Sequence, residues 1–351
     1  MNELKYATLN SALFSNQKSV NNYKVNTNPS FERWQKLYSS STTTRSFFQS
    51  NTCYNFYKKV SSIETFVVAI EDDNEILALV TGYIHSSRNK IISYFSRRAI
   101  IPGGILLPNN CPNEVVLLLL NSLKDYLKEK AIYIELRNLN DYSQYKHVFK
   151  IAGFKYIKHY NVQNELKFST KEDLLSSISR DKKRQYVRSL KHGATIHIVN
   201  TLEEVKSVYQ VLQNFYTYKL KLPLFDFDFF KNLFDLENTA IIVVKNNNQI
   251  VSLMVLVHDD ICAYEWFVYG DRKQSIYPSV VVTVAGIQYA YQQKLKKFDF
   301  MGAGSDKEKI GLRKFKLRFG GELVENGRFL YICNPILFSI GKRFIQLRAI
   351  L

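Results

Sequence analysis

The sequence has few of the features that mark disulfide-rich, fibrous or membrane-spanning proteins. Only four of its 351 residues are cysteine, and they form no C-x-x-C pair, which argues against a disulfide framework and against a zinc site. Glycine (14) and proline (7) are also scarce, which excludes collagen-like and low-complexity chains. The longest apolar run, Val115 to Leu120, is far shorter than the roughly 18 residues that a spanning helix needs.

Localisation and catalytic signatures are missing as well. The first residues, MNELKYATLNSALF, contain no basic segment followed by an apolar one, so they do not resemble a secretory signal and we expect a cytoplasmic protein. The sequence has no G-x-S-x-G elbow, Walker loop, Rossmann glycine motif or H-E-x-x-H. We therefore expect no metal and no permanently bound cofactor, and a chemistry that depends on positioning and charge.

The charge of the chain is strongly unbalanced. Lysine and arginine number 48 against 31 acidic residues, which gives a formal net charge of +17 and a pI near 9.5. Such a field attracts nucleic acid, an anionic membrane surface or phosphorylated substrates. A surface that merely keeps the protein soluble is the alternative.

The two halves of the chain repeat one order of elements. Thr65–Ile84 and Thr239–His258 each have two apolar runs around an Asn/Asp-rich turn, which predicts a β-hairpin, and a third strand pattern follows each. The helical patterns Asn113–Lys130 and Pro278–Lys296 come next, each followed by a strand. A second helical pattern in each half then ends at a glycine, Gly153 in the first half and Gly320 in the second, as expected for a residue that terminates a helix.

This repeat predicts an α/β (α+β) protein with two similar domains and mixed sheets. The length of the chain also favours two domains, because a single core rarely grows this large. We place them at residues 1–168 and 169–351, with the boundary near Phe168 to Ser176. Coincidental alternation of strands and helices is the alternative interpretation.

A basic helix, SRDKKRQYVRSLKHG, is the sharpest local motif. Arg180, Arg184 and Arg188 are spaced four residues apart, so their guanidinium groups lie along one helical face. Because guanidinium groups bind phosphate oxygens bidentately, the row is a candidate phosphate-binding strip. Salt bridges between the domains or a solvated face would also explain it. Val187 and Leu190, with Tyr186, supply the apolar side.

Two charged residues stand among apolar neighbours and are candidates for catalysis. Lys316 is flanked by aromatic residues, and an ammonium drawn into a cleft could stabilise an oxyanion, although a lysine reaching solvent from an amphipathic helix is the alternative. Glu265 interrupts the strand ICAYEWFVYG, and burial would raise the pKa of its carboxyl group and suit it to act as a general base. A solvent-facing strand position would also explain Glu265. We further assign Phe315, Tyr269 and Arg98 to substrate binding.

Motifs in both halves resemble the Fem family (FemABX) of non-ribosomal peptidyltransferases. The resemblance covers about residues 30 to 335. Its motifs are FFQS, RRAIIPGG and YIELRN in the first half and the arginine row, FDFMGAG and GLRKFKLRFGG in the second. The chain departs from the family in having no charged heptad insertion around residues 205–270. It also lacks the R/Q-x-x-G-x-G/A pyrophosphate loop, which disfavours ordinary acetyl-CoA binding.

The resemblance implies two tandem GNAT-like acyltransferase domains and the transfer of an amino acid from aminoacyl-tRNA to an amine of a peptidoglycan precursor. The family's functional lysine, in its F-K-x-x-F-G motif, corresponds to Lys316 and would stabilise the tetrahedral oxyanion. Family members act on activated esters, so an amine attacks without a protein nucleophile. The implied partners are tRNA and a phosphorylated nucleotide- or lipid-linked acceptor. From the net charge we also expect peripheral contact with an anionic membrane.

The leading hypothesis is therefore an aminoacyl-tRNA-dependent aminoacyltransferase acting on a phosphorylated cell-wall precursor. The second is an acyl-CoA-dependent N-acyltransferase that acts on an amino sugar or another small amine of envelope polysaccharide. The third is a non-catalytic anion-binding protein that has kept the fold.

Overall fold

The computed structural model describes residues 23–85, 96–271, 275–306, 308 and 310–341. These residues form two mixed sheets of seven strands each. In spatial order the first sheet contains β1 (Lys24–Asn26), β2 (Ile63–Glu71), β3 (Ile76–His85), β4 (Arg98–Gly103), β5 (Tyr133–Asn138), β14 (Arg328–Ile332) and β6 (Lys155–Ile157). The second contains β13 (Glu322–Val324), β7 (Asn161–Glu165), β12 (Lys297–Gly302), β11 (Cys262–Gly270), β10 (Gln249–His258), β9 (Thr239–Asn246) and β8 (Thr195–Ile198).

Ten α-helices of the described residues flank these sheets. In the first half they are α1 (Phe31–Ser40), α2 (Asn51–Lys58), α3 (Asn113–Leu127) and α4 (Lys146–Ile151). In the second half they are α5 (Lys171–Ser177), α6 (Arg180–Lys191), α7 (Leu202–Asn214), α8 (Phe227–Phe234), α9 (Pro278–Gln292) and α10 (Ile310–Leu317). No helix in the described part of the chain is long and apolar enough to cross a membrane.

The predicted α/β class with two mixed-sheet halves is confirmed. Both hairpins form as expected, β2 with β3 and β9 with β10. The second one turns at Asn247 and Asn248, whose φ angles of 51° and 62° are ones that asparagine tolerates better than most residues. The glycines expected after α4 and α10, Gly153 and Gly320, have φ angles of 86° and 87°, as helix-terminating glycines do. Of the third strand expected over residues 91–100, the described residues show β4 from Arg98 onward, and residues 91–95 lie outside them.

The two halves exchange strands. β7, which precedes the predicted boundary at residues 168 and 169, pairs with β12 and β13 in the second sheet. β14, near the end of the described chain, lies between β5 and β6 in the first sheet. The predicted boundary therefore divides the chain at a point that does not divide the sheets.

Three large apolar cores hold this arrangement together. One lies between the first sheet and α3, and one between the second sheet and α9. The third joins the halves, where Phe48 of the first half packs edge-on against Tyr264 and Trp266 of the second, at ring-centroid distances of 5.4 and 5.1 Å. Each buried aromatic ring removes a large apolar area from water, so this contact fixes the two halves against each other.

Candidate active site

The parallel strands at the centre of the second sheet separate part-way along their length. β11 and β12 pair from Cys262 to Tyr264, opposite Lys297 to Asp299, and both strands continue beyond that point without pairing to each other. The equivalent strands of the first sheet, β4 and β5, stay paired over all six residues of each. The second sheet alone therefore has a gap between its parallel strands in the described residues.

A bulge marks the start of the gap on β11. Glu265 and Phe267 are opposite the consecutive residues Leu256 and Val255 of β10, so Trp266 is an additional residue in the strand. Such a bulge bends the strand and redirects its side chains. It accounts for the divergence of β11 from β12 immediately after Tyr264.

An ion pair fills the base of this gap. The Nζ of Lys316, from α10, lies 3.2 Å from the Oε1 of Glu265, and the two side chains are only 6% and 4% exposed. The ammonium also donates to the backbone carbonyls of Phe300 and of Gly302, the latter at 3.4 Å. Both carbonyls belong to the part of β12 that lies beyond its last pairing with β11. The burial of both side chains excludes the alternatives of a solvent-reaching lysine and a solvent-facing glutamate.

The electrostatics of the pair follow from this burial. Desolvation raises the pKa of Glu265, the Lys316 ammonium lowers it in part, and the nearby Asp299 raises it further, so the net shift is upward. Asp299 is fully buried, and burial likewise raises the pKa of its carboxyl group. Glu265 thus has the raised pKa that a general base requires.

Asp299 shapes the backbone of β12 where the gap begins. Its Oδ1 accepts a hydrogen bond of 2.6 Å from the amide of Met301, and Gln163 donates to its Oδ2 at 2.9 Å. Met301 has a φ of 56°, in the left-handed region that side chains other than glycine rarely adopt. The carboxylate therefore holds a strained residue directly between the two carbonyls that Lys316 binds.

A pocket of about 380 Å³ adjoins the gap at the N-terminus of α9. Its lining includes Lys182 and Gln185 of α6, Phe315 of α10 and Ser279 at the start of α9. The Nζ of Lys182 lies 5.0 Å from the centre of the Phe315 ring and donates to Gln185 at 2.9 Å. The helix N-terminus and the ammonium group favour an anion in this pocket, whereas the carboxylate of Asp271, which also lines it, opposes one.

The structure brings together some of the predicted site residues and separates others. Lys316 and Glu265 form the ion pair in the gap, and Phe315 lines the adjoining pocket. Tyr269 is on the separated part of β11, but its ring packs against Phe215, 5.2 Å away. Arg98 is in the first sheet, on β4.

The arginine row lies on the outer face of α6. Arg180, Arg184 and Arg188 are all exposed, and none of them forms an ion pair with another described residue. The opposite face of the helix packs on the protein through Tyr186 and Ser189. The prediction of an apolar side formed by Tyr186, Val187 and Leu190 is wrong in part. Tyr186 is buried, but Val187 and Leu190 are 42% and 38% exposed.

Sequence reasoning missed Lys182 and Gln185 as residues of the pocket. Their spacing relative to Tyr186 and Ser189 is the signal that could have found them, because residues three or four apart share a helical face. The arginine row drew attention to the other face of the same helix.

Solved structures of other proteins have the same fold as this chain. A structure of FemX is similar over 90% of this chain and 99% of its own, with a TM-score of 0.68 at 16% sequence identity. A tandem GNAT protein from the clavulanic acid biosynthesis pathway matches over 89% and 99%, with a TM-score of 0.60 at 7% identity. The chain shares its fold with FemX and with this tandem GNAT protein. The resemblance expected from the motifs is thereby confirmed as a likeness of fold over nearly the whole chain.

The L-PGS structure from Bacillus licheniformis is also similar to this chain. It matches over 90% of this chain and 96% of its own, with a TM-score of 0.56 at 13% identity. No protein-family model and no curated protein sequence matches the chain. The fold thus rests on the similarity of three-dimensional structures.

Proposed function

We propose that this protein is an N-acyltransferase that joins an activated aminoacyl group, carried by tRNA, to an amine of a phosphorylated cell-wall peptidoglycan precursor. The observation that carries the proposal is the gap between β11 and β12 with the buried Lys316–Glu265 pair at its base. Unpaired strand edges offer backbone N–H and C=O groups to an extended ligand. The tandem GNAT fold supports acyl transfer as the reaction class, and the likeness to FemX favours an aminoacyl donor.

In this mechanism the acceptor amine attacks the ester carbonyl of the donor. A bond forms between the nitrogen and the carbonyl carbon, and the carbonyl oxygen becomes an oxyanion. When the intermediate collapses, the oxyanion re-forms the carbonyl and the bond to the ribose oxygen breaks, and that oxygen leaves as a hydroxyl by taking the proton that Glu265 has accepted from the amine. The proton lost by the attacking amine goes to Glu265, whose raised pKa makes it a base of suitable strength.

Lys316 stabilises the oxyanion in this scheme. Its ammonium has three N–H groups, of which two are directed to Glu265 and to the carbonyl of Phe300. The third contact, to the carbonyl of Gly302 at 3.4 Å, is long for a hydrogen bond and therefore weak. This N–H is the one that can turn toward a developing negative charge at little cost.

An acyl-enzyme intermediate is not part of the proposal. Cys262, the cysteine on β11, is buried, and burial raises the pKa of its thiol well above the ordinary value. A protonated, inaccessible thiol is a poor nucleophile. Direct attack by the amine on an ester that is already activated requires correct orientation of the two reactants and no protein nucleophile.

The exposed arginine row of α6 supports tRNA as the carrier of the donor. Three guanidinium groups without carboxylate partners in the described residues are available to bind backbone phosphates. The net charge of +17 acts in the same direction over longer distances. We therefore propose that the tRNA backbone binds to the outer face of α6. We also propose that the protein acts in the cytoplasm, where charged tRNA is found.

The experiment that tests the proposal combines donor and acceptor classes. Purified protein is incubated with radiolabelled aminoacyl-tRNA or acyl-CoA and with peptidoglycan precursors or amino sugars, and amide formation is measured. We expect transfer from aminoacyl-tRNA and a turnover reduced about 10²-fold or more in Lys316→Met, with little change in substrate affinity. Lys314→Met, an exposed lysine of the same helix, is the matched control.

Full activity of Lys316→Met would contradict the proposed mechanism. Equal losses in affinity and turnover would make Lys316 a residue that binds substrate. No transfer with any donor, together with charge-dependent binding of RNA, would favour the non-catalytic anion-binding alternative.

One observation favours an acyl-CoA donor as the second candidate. The pocket of about 380 Å³ at the N-terminus of α9 combines a helix dipole with the ammonium of Lys182, which suits the diphosphate of CoA. The tandem GNAT structure from clavulanic acid biosynthesis, described as lacking AcCoA, shares the fold. Transfer from acyl-CoA to an amino sugar, with none from aminoacyl-tRNA, would establish this candidate in place of the first.

A further inference from the structure

Two arginines bind one carboxylate on the inner face of the first sheet, and a third arginine lies on the neighbouring strand. Arg137 donates through Nε and Nη2 to the Oε2 of Glu135, at 3.0 and 2.9 Å, and Arg328 donates through Nη1 to its Oε1 at 2.7 Å. Arg98 lies on the neighbouring strand β4, and the alternating residues of these strands pack on the other face, toward α3. The cluster therefore occupies the face that looks away from α3, where Tyr83 joins the core between the two halves.

The positive charge of this cluster exceeds its negative charge. Glu135 is shared by Arg137 and Arg328, and no ion pair connects Arg98 to a carboxylate among the described residues. The Nε atoms of Arg98 and Arg328 and the Nδ1 of His85 are buried without a hydrogen-bond partner in that part of the chain. Buried donors without partners are costly, and native proteins leave few of them.

The pKa shifts of the neighbouring His85 and Glu135 also indicate an excess of positive charge. Burial, together with the charges of Arg98 and Arg137, lowers the pKa of His85 to about 4, so this histidine is neutral near pH 7 and adds no charge. Burial alone would raise the pKa of Glu135, but Arg137 and Arg328 outweigh it and hold that pKa below its ordinary value. With Glu135 ionised and the carboxylate of Glu308 near Arg328, three guanidinium groups stand against two carboxylates, so the cluster keeps a net positive charge.

The cluster is open to a ligand. The side chains of Arg137 and Arg328 are 41% and 29% exposed although they bind Glu135. Each guanidinium has five N–H groups, so donors remain after the contacts with Glu135. A tetrahedral oxyanion accepts from several guanidinium groups at once.

The same cluster is connected to the candidate active site. Arg328 contacts the Nε2 of His159 through its Nη2, and the Nδ1 of His159 donates to the carbonyl of Gly304 at 2.8 Å. Gly302, which accepts from Lys316, is so close that a Cβ added to it would lie 3.5 Å from the Nε2 of His159. A ligand held by the arginines would thus lie beside the loop that follows β12.

We propose that Arg98, Arg137 and Arg328 bind a phosphate or diphosphate group of the acceptor, so that its amine extends toward Lys316. The assignment of the bound group to the acceptor rests on the proposed acyl transfer, whereas the anion site itself does not. It differs from the arginine row of α6, which faces solvent on the second half.

The binding test uses inorganic pyrophosphate as the probe, titrated calorimetrically into the wild type, Arg98→Gln and the control Arg33→Gln. Arg33 is a half-buried arginine of the first half, on α1, whose Nη2 donates to the carbonyl of Asp73 at 3.1 Å, outside the cluster. We expect Arg98→Gln to weaken binding at least tenfold and Arg33→Gln to leave it unchanged. Pyrophosphate should also raise the melting temperature of the wild type and of Arg33→Gln, but not that of Arg98→Gln, since a ligand stabilises only the state that binds it.

Folding of the variant is checked without ligand. Because Arg98 forms no ion pair in the described residues, Arg98→Gln should melt no lower than the wild type. If it does melt lower, Arg98→Lys keeps the charge without the planar fork, and an intermediate affinity is expected. Equal pyrophosphate affinity of Arg98→Gln and the wild type, or no binding to either, would overturn the proposal.

Two further measurements are needed. The first distinguishes a nucleotide-linked from a lipid-linked acceptor, and the second distinguishes failure of the anion site from failure of the proposed function. Competition by a nucleoside diphosphate indicates a nucleotide-linked acceptor, and competition by a short-chain phosphatidic acid a lipid-linked one. In the transfer assay, Arg98→Gln should raise the acceptor KM with little change in kcat. Arginine-dependent pyrophosphate binding with a fully active Lys316→Met overturns the proposed function alone, and a lowered kcat of Lys316→Met without such binding overturns the anion site alone.

Discussion

The Nζ of Lys316 and the Oε1 of Glu265 lie 3.2 Å apart in a part of the second half from which water is almost completely excluded. The two residues come from different elements, α10 and β11, so their ion pair also fixes the helix against the separated strand. Removing either partner leaves an uncompensated buried charge, which is much more costly than losing a surface pair. The pair therefore links the chemistry of the site to the stability of the second half.

Replacing one partner should destabilise the protein, and replacing both should not. We expect Lys316→Met to lower the free energy of unfolding by about 3 kcal/mol, in the range measured for broken buried pairs. The double variant Lys316→Met/Glu265→Gln removes both charges and should recover most of this loss without recovering turnover. Urea unfolding of the two variants, with Lys314→Met as the control, measures the effect. A double variant as unstable as the single one would show that the ion pair is not the cause.

The stability cost of Lys316→Met should depend on pH. Glu265 has a higher pKa in the folded protein than in the unfolded chain, so the folded protein keeps a proton that the unfolded chain releases. The stability that this difference contributes is present below the ordinary glutamate pKa and is lost as pH rises through the pKa of the folded state. Without the Lys316 ammonium the folded pKa rises further. The cost should therefore be larger at pH 8 than at pH 5, by up to about 1.4 kcal/mol per pH unit within the interval.

The control for this pH dependence is the double variant. Lys316→Met/Glu265→Gln has no carboxyl group at this position, whereas Asp299 is present in both the single and the double variant. Unfolding measured at several pH values should show a cost that grows with pH in the single variant only. The same growth in both would assign the titration to Asp299 or another group.

The elements that could be predicted from the sequence are those that neighbouring residues determine. The hairpin turn at Asn247 and Asn248 requires positive φ angles, which asparagine tolerates, and the pattern of apolar residues around it is local. The helix-terminating glycines are local signals of the same kind. These features place both hairpins and the helices that follow them close to their predicted positions.

The exchange of β7 and β14 could not be predicted in this way. Both are strands of five residues, and nothing in a strand of that length names its partner, which lies far away in the sequence. The pairing is decided by which sheet edge buries the strand's apolar side chains. Phe329 of β14, for example, packs in the core of the first sheet and stacks on Phe149 at a centroid distance of 3.7 Å.

The candidate site was predictable as a set of residues but not as an arrangement. Lys316 and Glu265 each stood out as a charge among apolar neighbours, yet the sequence did not indicate that they pair. The sequence also did not indicate that Arg98 lies on the same sheet face as Arg137 and Arg328, because β14, which carries Arg328, reaches the first sheet only through the strand exchange. Long-range register, which no local pattern encodes, made the difference in both cases.

The strand exchange predicts that the two halves do not fold separately. A fragment of residues 1–168 lacks β14, so β5 has an unpaired edge and β6 has no partner, and it also carries β7 without its sheet. We expect this fragment to be unfolded or aggregated and the whole chain to unfold in one transition. Circular dichroism and tryptophan fluorescence measured on the same samples test this. Two separate transitions, or a monomeric fragment with a cooperative melt, would contradict it.

Lys182 should affect donor binding and Lys183 should not. The two lysines are neighbours on α6, but Lys182 lines the pocket at the N-terminus of α9, where burial lowers its pKa, and Lys183 is exposed. If the pocket holds a phosphate of the donor, Lys182→Met removes a cation that binds the substrate and its transition state equally. We therefore expect the donor KM to rise about tenfold with little change in kcat, and Lys183→Met to match the wild type. Steady-state kinetics at fixed acceptor concentration measure both, and equal KM values for the two variants would show that this pocket does not bind the donor.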